Sequence, residues 1–403
     1  MRIQSGHGSS RGRWRSVTTA VAAAAAAATL AACGAVDTGS GASGSDDDLD
    51  SSDTGFLSQA QYDQLSSIVD KAEAVPQFVS PGKAFDISKA KGKRLFVIPT
   101  ASQLPVCQQI AESIVKLAPK VGMSGKVFDN SGGASGWIPG IQQAISQHYD
   151  AIVLVCGIDP NLIGPQLQAA KRAGIAVIDS GLTDIEKGEA TNPLVTAQTN
   201  LPNMEAMRWA IDKAILDNRK EPFHAFVITS NDVPSGVDMY GALKGEFKKY
   251  CPDCKVTTTN IAVPDWATKV QSAVSSALQA NPDIKAVIPI FDGEVPPAAA
   301  GIRASGRDDV FIYGAYGGTP EYVKAMGDSI PMKADVGPTQ LWRAYATMDQ
   351  TLRVLSGAGA VPPSKDGDPS RLWTLSNHDE VTKVNNGFGT DFQTEYEKLW
   401  GVS

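Results

Sequence analysis

Asp150-Ala-Ile-Val-Leu-Val155, followed by Pro165-Gln-Leu-Gln-Ala-Ala-Lys-Arg-Ala-Gly-Ile-Ala-Val-Ile-Asp179, decides the fold. The first run is short and continuously apolar, the pattern of a strand covered on both faces. Helical spacing predicts a helix from about Asn161 to Ala173, and Ile175 to Asp179 reads as a second buried strand. Strand, helix and strand in this order make one parallel unit.

The alternation continues on both sides. Upstream lie a strand at Leu95 to Pro99, a helix from about Pro105 to Ala118, a strand at Lys126 to Asp129 and a helix from about Trp137 to Gln147. Leu194 to Ala197 completes that set. After a helix at Met204 to Leu216, strands are predicted at His224 to Ile228, Lys255 to Ala262, Ala286 to Ile290 and Val310 to Tyr313. Helices at about Ser235 to Lys249, Trp266 to Ala280 and Glu294 to Ala304 separate them. Two such runs predict an α/β fold of two doubly wound parallel-sheet lobes. The tail breaks the pattern: Met332 to Pro338, a helix at Gln340 to Ser356, a Pro/Gly-rich stretch, Leu372 to Leu375 and a helix near Phe392 to Trp400. So few elements must return to the existing sheets. The expected organisation is 93–200 plus 337–370 for lobe 1 and 201–336 plus 371–403 for lobe 2, joined by a three-segment hinge. Residues 56–92 precede them as an N-terminal helix and connector.

The N-terminus has a different character. Arg2, Arg11, Arg13 and Arg15 precede Val17 to Leu30, an alanine-rich run too short for a permanent membrane span. Residues 1–32 therefore read as an export signal. Leu30-Ala-Ala-Cys33 resembles a bacterial lipobox, which implies that Cys33 becomes the N-terminus and carries diacylglycerol. Residues 33–55, rich in Gly, Ser and Asp, read as a flexible tether. The expected location is extracytoplasmic, lipid-anchored to the cell membrane.

Loss of the signal would change the formal charge from -7 to -11. So acidic a chain argues against nucleic acid as a partner. No apolar stretch of spanning length follows Cys33, so attachment would rest on lipid. Beyond Cys33 remain Cys107, Cys156, Cys251 and Cys254, an even number that favours disulfides in an exported protein. Cys251-Pro-Asp-Cys254 also has the spacing of a redox motif or half a zinc site. It follows a helix rather than starting one, and no histidine stands at ligand spacing, so a structural disulfide is expected. Cys107 and Cys156 then pair by default.

The chain resembles the type I periplasmic binding proteins of the ribose/galactose-binding kind, over roughly Gly92 to Gly357. The resemblance is carried by Phe96 to Thr100 with Gln108 to Glu112, by the opening pair of segments, by Asn281 to Val287 and by Gly317-Gly-Thr-Pro320. It implies two lobes closing on a small solute, an ABC permease as partner, and a monomer. Sites in open parallel sheets lie beyond the carboxyl ends of strands. The resemblance thereby gives Gln103, Trp137, Asp179, Ser180, Asn231, Phe291, Asp292, Tyr316 and, at the hinge, Asp335 as candidate ligand-binding residues.

Several positions depart from the ribose-binding pattern. Ser180 stands where those proteins have arginine, Phe291 where they have asparagine, Gly317 where they have aspartate and Val336 where they have glutamine. The departures argue against a free aldopentose and for a less polar, larger solute. No G-x-S-x-G elbow, Walker loop, metal-binding histidine pair or dinucleotide fingerprint is visible, so no catalysis, cofactor or metal is expected. Transport through an importer and ligand sensing by a lipoprotein of the same fold both fit the residues.

Overall fold

The computed structural model describes residues 53–188, 192–389 and 391–402. The export signal, Cys33 and most of the tether lie outside the described residues. Among the described residues no helix is long and apolar enough to cross a membrane.

The first sheet contains β1 (Arg94–Pro99), β2 (Ser124–Val127), β3 (Ala151–Val155), β4 (Ala176–Asp184) and β5 (Ala197–Leu201). Its order is β2-β1-β3-β4-β5, all parallel, as continuously apolar strands require. β1 and β3 are buried along nearly their whole length because helices cover both faces. On one face lies α2 (Pro105–Leu117), which buries Cys107, Ile110, Ala111, Ile114 and Leu117, a stripe at helical spacing. The other face is covered by α3 (Gly133–Ser146) and α4 (Gly164–Arg172), through Ile141, Leu167 and their neighbours.

The second sheet holds β6 (His224–Thr229), β7 (Lys255–Asn260), β8 (Ile284–Pro289), β9 (Phe311–Tyr316), β10 (Met332–Gly337) and β11 (Arg371–Thr374). Its order is β11-β10-β9-β8-β6-β7, parallel except for β11, which pairs antiparallel with β10. The covering helices are α5 (Asn203–Asp217), α6 (Pro234–Tyr250), α7 (Trp266–Ala280) and α8 (Val295–Ser305), with the short α9 (Pro320–Lys324) after β9. The N-terminal helix α1 (Gln59–Glu73) lays Leu65, Val69 and Ala72 against this lobe. Its Glu73 carboxylate accepts from Thr374 Oγ1 at 2.8 Å and Ser376 Oγ at 2.6 Å.

Between the sheets the chain passes at 201–203, at 337–340 and at 366–371. α10 (Gln340–Ser356) packs on α2, β4 and β5, and so belongs to the first lobe. One assignment from sequence needs correction. β11 does join the second sheet, but α11 (Asp391–Trp400), grouped with lobe 2, packs on α10 instead. The reason is an aromatic stripe. Phe392 stacks on Trp342 at 4.4 Å between ring centroids, Trp400 stacks on Tyr345 at 5.4 Å, and Trp400 Nε1 donates to Asp349 Oδ1 at 2.7 Å. The chain thus passes between the lobes a fourth time after Phe388.

Candidate functional site

The strands of both sheets end at a cleft between the lobes, a space of about 850 Å³ with its open mouth included. On the first lobe Leu104, just before α2, and Val106 and Ile110 in its first two turns line the cleft, and Cys107 is joined there to Cys156 at the end of β3. The second lobe supplies Val233, Val263, Trp266, Phe291, Asp292, Tyr316 and Tyr322. The hinge side is closed by Asn203, at the start of α5, and by Gln340 and Arg343 in the first turn of α10. The second disulfide, Cys251 to Cys254, lies away from the cleft at the end of α6.

The predicted residues divide into three groups. Phe291, Asp292 and Tyr316 line the cleft. Gln103 and Trp137 line an adjoining hollow that shares Thr100, Val233 and Val263 with it. Trp137 is fixed there by donation from Nε1 to the Thr100 carbonyl at 2.8 Å. Asp179, Ser180, Asn231 and Asp335 are not brought to either wall. β4 runs on to Asp184, so Asp179 and Ser180 are mid-strand residues registered with Leu154 and Val155. Asp179 is wholly buried with neither carboxylate oxygen bonded; burial drives its pKa well above the usual carboxylate range, and Asp159 adds to the rise. The Ser180 hydroxyl meets Thr347 Oγ1 of α10 at 2.7 Å. The Asn231 backbone N–H donates to Asn260 Oδ1, and Asn231 itself is exposed.

Asp335 lies directly behind Asp292. Burial raises the pKa of both: Asp292 is pushed up to about 6, and Asp335 goes well above its usual value, first through burial and then through the Asp292 charge beside it. Two buried carboxyls side by side disfavour double ionisation and titrate as a pair. Asp292 Oδ2 also accepts from the Thr319 N–H at 2.7 Å. This carboxylate explains Gly317. A Cβ at position 317 would lie 2.4 Å from Asp292 Cγ, so Asp292 fills the space an aspartate at 317 would need.

The aromatic wall has its own brace. Glu294, fully buried and pushed by that burial to a pKa of about 8, accepts from the backbone N–H groups of Ile290 at 2.8 Å and Phe291 at 3.3 Å. Its other oxygen accepts from Ser230 Oγ at 2.9 Å, and Ser230 Oγ accepts from Trp266 Nε1 at 2.8 Å. One carboxyl therefore holds both Trp266 and Phe291, whose rings lie 5.8 Å apart.

Sequence reading missed Asn203, Gln340 and Arg343. Arg343 Nε donates to Asp368 at 3.1 Å, both groups buried, and its Nη2 reaches Tyr316 Oη at 3.4 Å. Gln340 Nε2 donates to the Gly317 carbonyl at 3.1 Å. The signal that could have found them is position: each falls in the first turn of a helix directly after an interlobe passage.

Two α/β lobes closing on a buried cleft at their strand ends define the type I two-lobed solute-binding class. The chain belongs to the periplasmic binding protein domain family, which it matches over residues 95–359. No curated protein matches it. Among solved structures, it is similar to an ABC transporter solute-binding protein from Agrobacterium vitis with bound allitol, at 20% identity and TM-score 0.62 over 73% of this chain and 99% of that one. It is also similar to a sugar ABC transporter protein from Yersinia enterocolitica, at 17% identity and TM-score 0.64 over 81% and 98%. The Caulobacter myo-inositol binding protein bound to myo-inositol matches at 16% identity and TM-score 0.61, over 72% and 96%. At these identities the likeness is one of fold.

Proposed function

We propose that this chain is the extracytoplasmic substrate-binding lipoprotein of an ABC importer. It captures a small sugar or sugar-like solute, other than a free aldopentose, and is held at the cell membrane through lipidated Cys33. The observation that carries this reading is the cleft itself: hydrogen-bonding groups at the hinge, aromatic rings on one wall, and lobes that meet around them. The structural neighbours named with allitol and myo-inositol support a polyhydroxyl ligand. Binding rather than catalysis fits the wall. The Asp292–Asp335 pair presents only Asp292 to the cleft, where its Oδ2 accepts from the Thr319 N–H. Closure requires only that the ligand bind the closed state better than the open one.

Mass spectrometry of solute carried through native purification, followed by calorimetry with the identified compound, tests the reading. A neutral hydroxylated solute bound at micromolar Kd or tighter is expected. Tight binding of ribose or arabinose would reject the exclusion of aldopentoses, and turnover of the bound compound would reject the binding role. For the anchor, Cys33→Ala should move the protein from the detergent phase to the aqueous phase in Triton X-114 partition.

A further inference from the structure

The next step rests on the cleft being a solute-capture site, and it concerns what kind of solute fits. The wall is not uniform. At the hinge end, Asn203 Oδ1 is buried without a partner, and Asp292 and Thr319 face the same space. An unpaired buried polar atom of this kind calls for a group on a ligand. At the opposite end the polar lining residues are Thr100 and Ser235, and the Thr100 hydroxyl is already bonded to the carbonyls of Val155 and Cys156. There Leu104, Val106 and Ile110, beside the Cys107–Cys156 disulfide, face Trp266 and Phe291. The two sides come close: a Cβ at Gly293, which lies over the Trp266 ring, would be 3.7 Å from Leu104 Cδ2.

We propose that the solute is an amphiphile without negative charge, with a hydroxyl-bearing head at the hinge and a ring-sized apolar substituent between α2 and the Trp266–Phe291 wall. A sugar ring alone would leave hydroxyls against Leu104 and Val106 with no acceptor, whereas an apolar group removes that mismatch. Anions are disfavoured by charge. The guanidinium at the cleft, Arg343, is neutralised by Asp368, and Asp292 adds a carboxylate to the wall. Aromatic rings add favourable contact for an apolar or C–H face.

The test is competitive ultrafiltration with mass spectrometry, using the full mature chain and an equimolar mixture. The mixture holds glucose, galactose, mannose, ribose and myo-inositol, the phenyl β-glycosides of the sugars, glucose 6-phosphate, glucuronate and phenol. At least one phenyl glycoside should be retained ten-fold or more above its parent sugar, with phosphate and carboxylate absent. A parent sugar retained equally well would overturn the amphiphile and leave sugar capture standing, as would retention of an anion. Phenol retained with no sugar derivative would overturn sugar capture as well, and retention of nothing would overturn both. Leu104→Asn and, separately, Val106→Thr should lower the phenyl-to-parent ratio at least five-fold, with unliganded Tm confirming that each variant folds. A ratio unchanged in both folded variants would show that the α2 end is not the seat.

Discussion

Gly317 and Asp292 exchange roles within one small volume, and the exchange can be tested residue by residue. Gly317→Asp places a second carboxyl where Asp292 already stands, so it should destabilise the protein by about 1–3 kcal/mol, the range for overpacking, and abolish ligand binding. Adding Asp292→Gly should recover most of that stability in denaturant unfolding; a double variant no better than the single would refute the exchange. Asp179 invites a different measurement. Its folded-state pKa is raised by burial, so its contribution is fully present below the unfolded value near 4 and is lost as pH rises through the folded value. Asp179→Asn should therefore flatten the decline of stability above about pH 4, by at most about 1.4 kcal/mol per pH unit, the slope of one proton. Parallel Tm profiles for variant and parent would contradict this. The sequence showed an aspartate closing an apolar strand, but not that β4 continues past Ser180-Gly181 to Asp184. That continuation, not the residue type, decides whether the carboxyl meets ligand or core. Arg343 was illegible for the opposite reason, since an arginine in a helical pattern looks like a solvated face until an interlobe passage turns it inward.

At the scale of elements, the first turn of α2 depends on a covalent tie. Cys107 and Cys156 have Cα atoms 5.7 Å apart and are separated by 49 residues, so the chain-entropy argument assigns the bond about 4 kcal/mol. Cys107→Ser with Cys156→Ser should cost about 2–4 kcal/mol in urea unfolding, and reductant should reproduce the loss in the parent; a loss below 1 kcal/mol would show that packing alone holds the wall. The pairing was legible because only two cysteines remained once the adjacent pair was set aside. Strand and helix order was legible throughout both lobes, since buried parallel strands and amphipathic helices have different periods. The place of α11 was not. Phe392, Tyr396 and Trp400 announce a buried face, but their partners Trp342 and Tyr345 belong to a helix some fifty residues earlier. Periodicity records that a face is apolar, not which surface covers it.

On the whole-molecule scale, the lobes are drawn together by ion pairs from the turn that follows β4. Lys187 Nζ lies 2.9 Å from Asp238 Oδ1 of α6, and Glu186 pairs with Arg208 of α5. Both pairs are partly exposed, so each is worth at most about 1 kcal/mol. Lys187→Ala should weaken ligand affinity by up to about five-fold and reduce its salt dependence, measured by calorimetry at two ionic strengths; unchanged affinity would mean that the pair does not favour closure. The four passages between the lobes lie side by side. Gly367 backs onto the Asn200 carbonyl so closely that a Cβ would be 2.2 Å from it, and Asn386 Nδ2 donates to Gln340 Oε1 at 3.4 Å. Phe388, entering the last passage, lies 6.5 Å from the Trp342 ring and 6.0 Å from Trp373. A bundle of adjacent cords resists twisting far more than bending. The molecule should therefore open as a door on one axis rather than as a ball joint, and a single distance between one label on each lobe would describe its whole motion.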